Sequence, residues 1–193
     1  MPDMAAGIKR IVFKEIVEGD LRKFEAQSND ADTGGGARDL RFRPFEEFQT
    51  IFSALFPNTR IETRRRGGAA ANVEVLVGAF HWLDEAQLRQ SREAIFEPPT
   101  DPRPGEGRIP MVHKYPPFNR LPPTNEGRMV LLLIQRDDDT VWPEFATENS
   151  LRSGDWAVSV SEPILRSLEA QRNTHSVARG YIDYVTGREY SDA

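Results

Sequence analysis

The chain has no cysteine in 193 residues, which excludes a disulfide framework, a thiolate nucleophile and a cysteine zinc site. Long hydrophobic runs are missing as well. The longest, Met129 to Ile134, is far short of the roughly 20 apolar residues a membrane-spanning helix needs. The opening MPDMAAGIKR lacks the basic-then-apolar order of a secretory signal, so a cytoplasmic protein with no membrane contact is expected. Lysine is scarce: Lys9, Lys14, Lys23 and Lys114 are preceded two positions earlier by Gly7, Val12, Leu21 and Val112. The acid-x-lysine core of the common metal-dependent restriction nucleases is therefore absent. His81, His113 and His175 form neither H-x-H nor H-E-x-x-H spacing. No G-x-S-x-G elbow occurs, and Gly34, Gly35 and Gly36 do not lead into the Lys-Ser/Thr of a phosphate-binding loop. No catalytic constellation emerges, and neither a cofactor nor a metal is expected. The run Asp137, Asp138 and Asp139 reads as a solvated turn, with a magnesium-dependent enzyme built on it as a third and weakest alternative.

What the chain does have is an uneven distribution of charge. The formal net charge is -5, yet Gly36 to Arg66 carries seven arginines against Asp39, Glu46, Glu47 and Glu62. Asp101 to Arg128 holds five cations against three acids, whereas the chain from Asp137 onward has eleven acids and five arginines. Two mildly basic segments in an acidic body permit a nucleic-acid-facing side.

Hydrophobic periodicity gives the elements. IKRIVFKEIV reads as a strand, and LRKFEAQ after the Gly19-Asp20 turn as a second. RDLRFR alternates Leu40 and Phe42 with arginines, so that Arg41 and Arg43 share one face. Phe45, Phe48, Phe52 and Leu55 recur at helical spacing after Pro44, predicting a core-packed helix to Leu55. TRIETRRRGGAAANVEVLVGAF predicts two strands around Gly67-Gly68. DEAQLRQ predicts a short helix and REAIFEP a strand. Pro98 to Pro110 and PPFNRLPPTNEG are proline-rich loops. RMVLLLIQR is a buried central strand turning through DDDT into VWPEFATE. A helix over about 162–171 and a closing strand VARGYIDYV complete the chain. Many short strands with few short helices predict a mainly β, α+β fold, a pseudobarrel or sandwich of mixed, mostly antiparallel strands. A single domain over 1–193 is expected, with its core at about 9–148 and a helix and closing strand at 149–190.

Two loops carry the chemistry that remains. In QSNDADTGGGARDLRFRP the glycines let backbone approach another surface closely, and their N–H groups can form an anion-binding nest. Arg38, Arg41 and Arg43 can then reach phosphates or a guanine edge. The competing expectation is a polar loop whose arginines pair with Asp39 and neighbouring glutamates. In RPGEGRI, Arg103, Glu106 and Arg108 mix cations with one acceptor able to take a hydrogen bond from cytosine N4. Its competing expectation is an exposed loop with a Glu-Arg pair.

The order SNDADTGGGARDLRFRP, a helix ending LFP, VEVLVGAF, REAIF, RPGEGRI and PTNEGRMVLLLIQ resembles the amino-terminal effector-binding domain of EcoRII-type restriction endonucleases. That domain is a DNA-binding pseudobarrel related to plant B3 domains. The resemblance covers roughly Lys9 to Glu148, with no long identical run. It implies two arms gripping the DNA major groove, at Ser28 to Arg38 and Arg103 to Arg108, with Asn29, Asp30, Arg38, Arg103, Glu106 and Arg108 as contacts. Gly35, Arg41 and Lys114 complete the candidate DNA-facing set. The chain departs from the family where Ala37-Arg38 replaces a polar pair, where Gly107 stands in place of a lysine, and in having no counterpart of the nuclease domain. The expectation is a non-catalytic double-stranded DNA-binding module, selective for sequence or modification, in a restriction or phage-defence setting with a nuclease or another defence subunit as a further partner. The alternative is a protein-interaction subunit of a bacterial complex with no direct DNA contact.

Overall fold

In the computed structural model, which describes residues 7–24, 38–66, 69–100, 103–174 and 176–192, two apolar strands lie side by side at the centre. β1 (Ile8–Ile16) and β7 (Met129–Arg136) pair antiparallel, Ile11 opposite Ile134 and Ile16 opposite Met129. Their side chains alternate between two cores. Val12, Ile16, Leu131 and Leu133 point into one, whereas Ile11, Phe13, Val130, Leu132 and Ile134 point into the other. Burial on both faces explains why β7 is a continuous apolar run rather than an alternating one.

The sheet order is β10 (Arg188–Ser191), β9 (Arg179–Asp183), β1, β7, β8 (Val141–Thr147), β4 (Ala69–Leu83) and β3 (Asn58–Arg66), with β5 (Arg89–Phe96) also on β4. Every pairing is antiparallel except a single parallel contact of Phe80 with Val141. The fold is mainly β with helices, as the sequence predicts, and among the described residues the sheet is mixed and does not close into a barrel.

A separate two-stranded ribbon, β2 (Leu40–Phe42) with β6 (Gly107–Ile109), packs over the first core together with α2 (Phe45–Leu55). Phe52 stacks on Phe96 at 4.0 Å between ring centroids, and Phe42 meets Phe52 edge-on at 5.0 Å. The helically spaced aromatic stripe is thus core packing. α3 (Glu148–Ser153) and α4 (Val158–Ala170) cover the second core through Leu151, Val160, Ile164 and Leu168.

Several elements differ from the sequence reading. Glu18–Phe24 is a helix, α1, rather than a strand. Leu21 and Phe24 are spaced to share a helix face: Phe24 stacks on Phe118 at 5.6 Å, and Lys14 and Lys23 both bond Asp20 in its first turn. DEAQLRQ is no helix: its first five residues are the β4–β5 hairpin turn, where Asp84 Oδ1 accepts from the N–H groups of Ala86 and Leu88, each at 2.9 Å, and Arg89 and Gln90 already pair in β5. This Asx-type capture outcompetes a helix. Gly107–Ile109 is a strand inside the segment expected to be all loop. α4 begins at Val158 rather than near 162, and α3 and β10 are additional elements.

Candidate nucleic-acid interface

The two sequence segments singled out above meet in the β2–β6 ribbon. Leu40 pairs with Ile109, Arg41 with Arg108 and Phe42 with Gly107. Strand alternation divides the ribbon. Leu40, Phe42 and Ile109 are fully buried on its inner face, leaving Asp39, Arg41 and Arg108 on the other. Backbone bonds fix its frame: Val112 N–H donates to Arg38 C=O at 3.0 Å, Phe45 N–H to Gly105 C=O at 2.8 Å, and Glu97 and Arg108 exchange both bonds at 2.8 and 3.0 Å. The register, rather than the loops, therefore places residues from two distant parts of the chain on one face.

Across that face runs a chain of alternating charge. Arg108 donates Nε to Glu97 Oε2 at 2.7 Å and Nη1 to Asp39 Oδ2 at 2.9 Å. Arg41 Nη1 donates to Glu106 Oε2 at 3.2 Å and lies 3.9 Å from Asp39. Arg103 sits 3.8 Å from the same Glu106 oxygen. The Glu97 and Asp39 side chains are only 2 % and 6 % exposed, Arg108 is 19 %, and Arg103 is 58 %. Arg41 thus pairs with Asp39 and a glutamate, as the competing expectation for the first loop has it, and Arg103 with Glu106 forms the Glu-Arg pair of the competing expectation for the second. Arg108 and Arg41 are engaged internally, and Arg103 is the member of the chain that faces solvent most openly.

Further cations surround it. Arg43 and Lys114 are exposed. The His113 imidazole is held below its ordinary pKa, first by burial and then by the positive charges of Arg38 and Lys114, which puts both cations near the same ring. Arg179, from β9, is buried; burial is the main cause of its lowered pKa, and it pairs with Asp192 at 2.8 Å while feeling the charges of Arg43 and Glu106. Arg179 was not foreseen: it lies in the acidic third of the chain, and only the β1–β9 register, Lys14 opposite Arg179, brings it here. Asp39 and Glu97, the two buried acids that hold Arg108, were also not among the expected site residues. Asn29, Asp30 and Gly35 lie outside the described residues.

Gly107, where the family resemblance expects lysine, has a local physical reason. A Cβ there would lie 2.1 Å from Phe96 Cζ and 2.9 Å from Phe45 Cδ2. Phe96 is hemmed in by the Phe52 ring stacked on it and by Phe42 and Phe45. Gly107→Ala is expected to cost about 1–3 kcal/mol by overpacking, and Gly107→Lys more, as read by urea denaturation. Unchanged midpoints for both would show that the ribbon tolerates a side chain at this position.

The aspartate turn is internally bonded. Asp138 Oδ1 accepts from Thr140 N–H at 3.2 Å, Asp138 pairs with Arg89 at 3.3 Å, and Lys9 bonds Asp139 at 2.8 Å. Among the described residues no three His, Asp or Glu side chains group into a metal centre. No protein-family model, curated protein or solved structure matches the chain.

Proposed function

We propose that the chain is a non-catalytic double-stranded DNA-binding module, acting in a restriction or phage-defence setting, with the outer face of the β2–β6 ribbon and its flanking loops turned to the major groove. The observation that carries this reading is the ribbon itself. Its register joins the two basic segments, and six cations (Arg38, Arg41, Arg43, Arg103, Arg108 and Lys114) share that region with Asp39, Glu97 and Glu106. Within this reading the roles divide by exposure. Arg103, Arg43 and Lys114 supply phosphate contacts, Arg38 and Glu106 face the bases, and Arg108 positions Asp39 and Glu97 rather than touching DNA. The acidic remainder of the chain opposes loose non-specific binding.

The test is a gel shift against a randomised duplex library at low salt. Enrichment of a sequence or of a modified base is expected. Arg103→Ala and Lys114→Ala should each lower the salt slope by about one. No enrichment, with residual binding indifferent to both substitutions, would overturn the reading.

One observation favours the alternative of a protein-interaction subunit. A depression of about 380 Å³ brings Pro117 of the proline-rich connector beside Trp82, Leu83, Trp142 and Phe145, with Arg120 also in its lining. The aromatic lining is half-buried, with Leu83 and Arg120 exposed at its edge, and a concave apolar surface of this kind suits a protein partner. A chain that binds no duplex but titrates stoichiometrically with a nuclease subunit, and loses that binding on Trp82→Ala, would establish it.

A further inference from the structure

Away from the ribbon, β3 and β4 build a second projecting feature. Their antiparallel ladder runs from Asn58 opposite Val77 to Arg66 opposite Ala69. β5 joins β4 only from Leu76 onward, and β8 meets β4 only at Phe80. The pairs from Arg60–Val75 to Arg66–Ala69 therefore have no third strand on either edge among the described residues. Seven pairs at about 3.3 Å per residue extend about 23 Å. Val75 is buried at the base of this ribbon, and beyond it no described residue is: Thr63, Ala70, Ala71 and Asn72 are exposed, and Ile61 is 59 % exposed.

Such a projection needs an explanation. A two-stranded ribbon wet on both faces is marginally stable by itself, and its open edges invite unwanted strand pairing. Charge is also sorted along its length. At the base, Arg60 donates to Glu62 at 2.7 Å and to Glu93 at 2.9 Å. Beyond Glu62 and Glu74, the sequence from Thr63 to Val73 contains Arg64, Arg65 and Arg66 and no acid, in a chain whose net charge is -5. The strand that returns from the tip begins Ala69-Ala70-Ala71, so the ribbon is slim where the arginine positions cluster. A two-stranded ribbon also matches the width of the DNA major groove.

We propose that the β3–β4 ribbon is a DNA-binding arm whose Arg64-Arg65-Arg66 end engages the phosphate backbone outside the segment held at the β2–β6 face. The inference rests on the DNA-binding reading above and adds a third contact region to it. Charge complementarity selects the partner, because a cationic tip on an acidic body favours a polyanion over another protein surface. The obvious competing role is edge protection, in which any charge at the tip would serve equally well.

Charge reversal separates the two. The variant Arg64→Glu/Arg65→Glu/Arg66→Glu keeps the edges charged but repels phosphate, whereas Arg64→Lys/Arg65→Lys/Arg66→Lys keeps the sign. Both are titrated into a labelled duplex of mixed sequence by fluorescence anisotropy between about 50 and about 200 mM salt. The arm predicts that the Glu variant binds at least about tenfold more weakly at the low-salt end, with the log–log salt slope reduced by roughly two to three. The Lys variant should retain most of the slope. Thermal midpoints of both variants are read alongside, so that the binding comparison is made on folded protein. Wild-type duplex binding that the Glu variant reproduces in affinity and slope would overturn the arm while leaving the DNA reading intact. A wild-type chain that binds no duplex would overturn both.

Discussion

Replacing Arg108 with methionine is expected to destabilise the fold by about 3 kcal/mol or more, far beyond the effect of removing a surface cation. The guanidinium lies between two carboxylates with little access to water: Glu97, 2 % exposed, at 2.6–2.7 Å, and Asp39, 6 % exposed, at 2.9 Å. Methionine preserves most of the apolar stem, so the change isolates the charge. Without the guanidinium, two buried carboxylates lose their shared counter-charge, and the cost of leaving such groups uncompensated exceeds what the pair contributed net. Pairing the substitution with Glu97→Gln should recover part of the loss, giving a coupling energy of about 0.5–3 kcal/mol in a double-mutant cycle. Urea denaturation of the four proteins provides the numbers. An Arg108→Met protein as stable as wild type would show that the acids are solvated or neutral, and that the clamp contributes nothing. The result also bears on function. Loss of DNA binding on Arg108 substitution would report a displaced β6 unless Arg103→Ala, which removes an exposed side chain and leaves the clamp intact, behaves the same way.

That contrast shows where sequence reading succeeds and where it stops. Val-Leu-Leu-Leu-Ile in β7 and the Phe45–Phe48–Phe52 spacing are local signals, and local physics decides them: burial on both faces and a helical stripe. LRKFEAQ reads as a strand only because a segment this short gives too few positions for its period to be counted; the spacing of Leu21 and Phe24 suits a helix face. The deciding bonds come from Lys14 in another element. The site was legible as composition and not as geometry. RPGEGRI advertises Arg, Glu and Arg, but nothing near it reveals that Arg108 will meet Asp39, 69 positions earlier, or that the Glu97 backbone will bond β6. The same register places Arg108, one of the expected contacts, between two buried acids and leaves Arg103, on the outer end of the same charge chain, in solvent. Arg179 had no sequence signal at all, since only the β1–β9 pairing brings it toward Arg43 and Glu106.

Asp20→Asn should produce a loss of similar size, about 3 kcal/mol near neutral pH, with a pH dependence that identifies its origin. Asp20 holds Lys14, whose side chain is 7 % exposed, and also accepts from Lys23 at 2.6 Å. Burial by itself raises the Asp20 carboxyl, but attraction and hydrogen bonds from Lys14 and Lys23 more than reverse this and hold its pKa below the usual 3.8. A depressed folded-state pKa means that the contribution of Asp20 is fully present above the unfolded value and is lost as pH falls through the folded one. The gap between wild type and Asp20→Asn should therefore close in acid, below about pH 3.8. It should also narrow at high pH. Burial, only partly offset by Asp20, pulls the Lys14 ammonium below its usual 10.5. In the variant Lys14 sheds its proton earlier still, and a neutral amine needs no counter-charge, so the penalty shrinks as pH rises toward that value. Urea midpoints across the pH range should give a penalty greatest between the two windows, and a pH-independent gap would mean that Asp20 acts by packing alone.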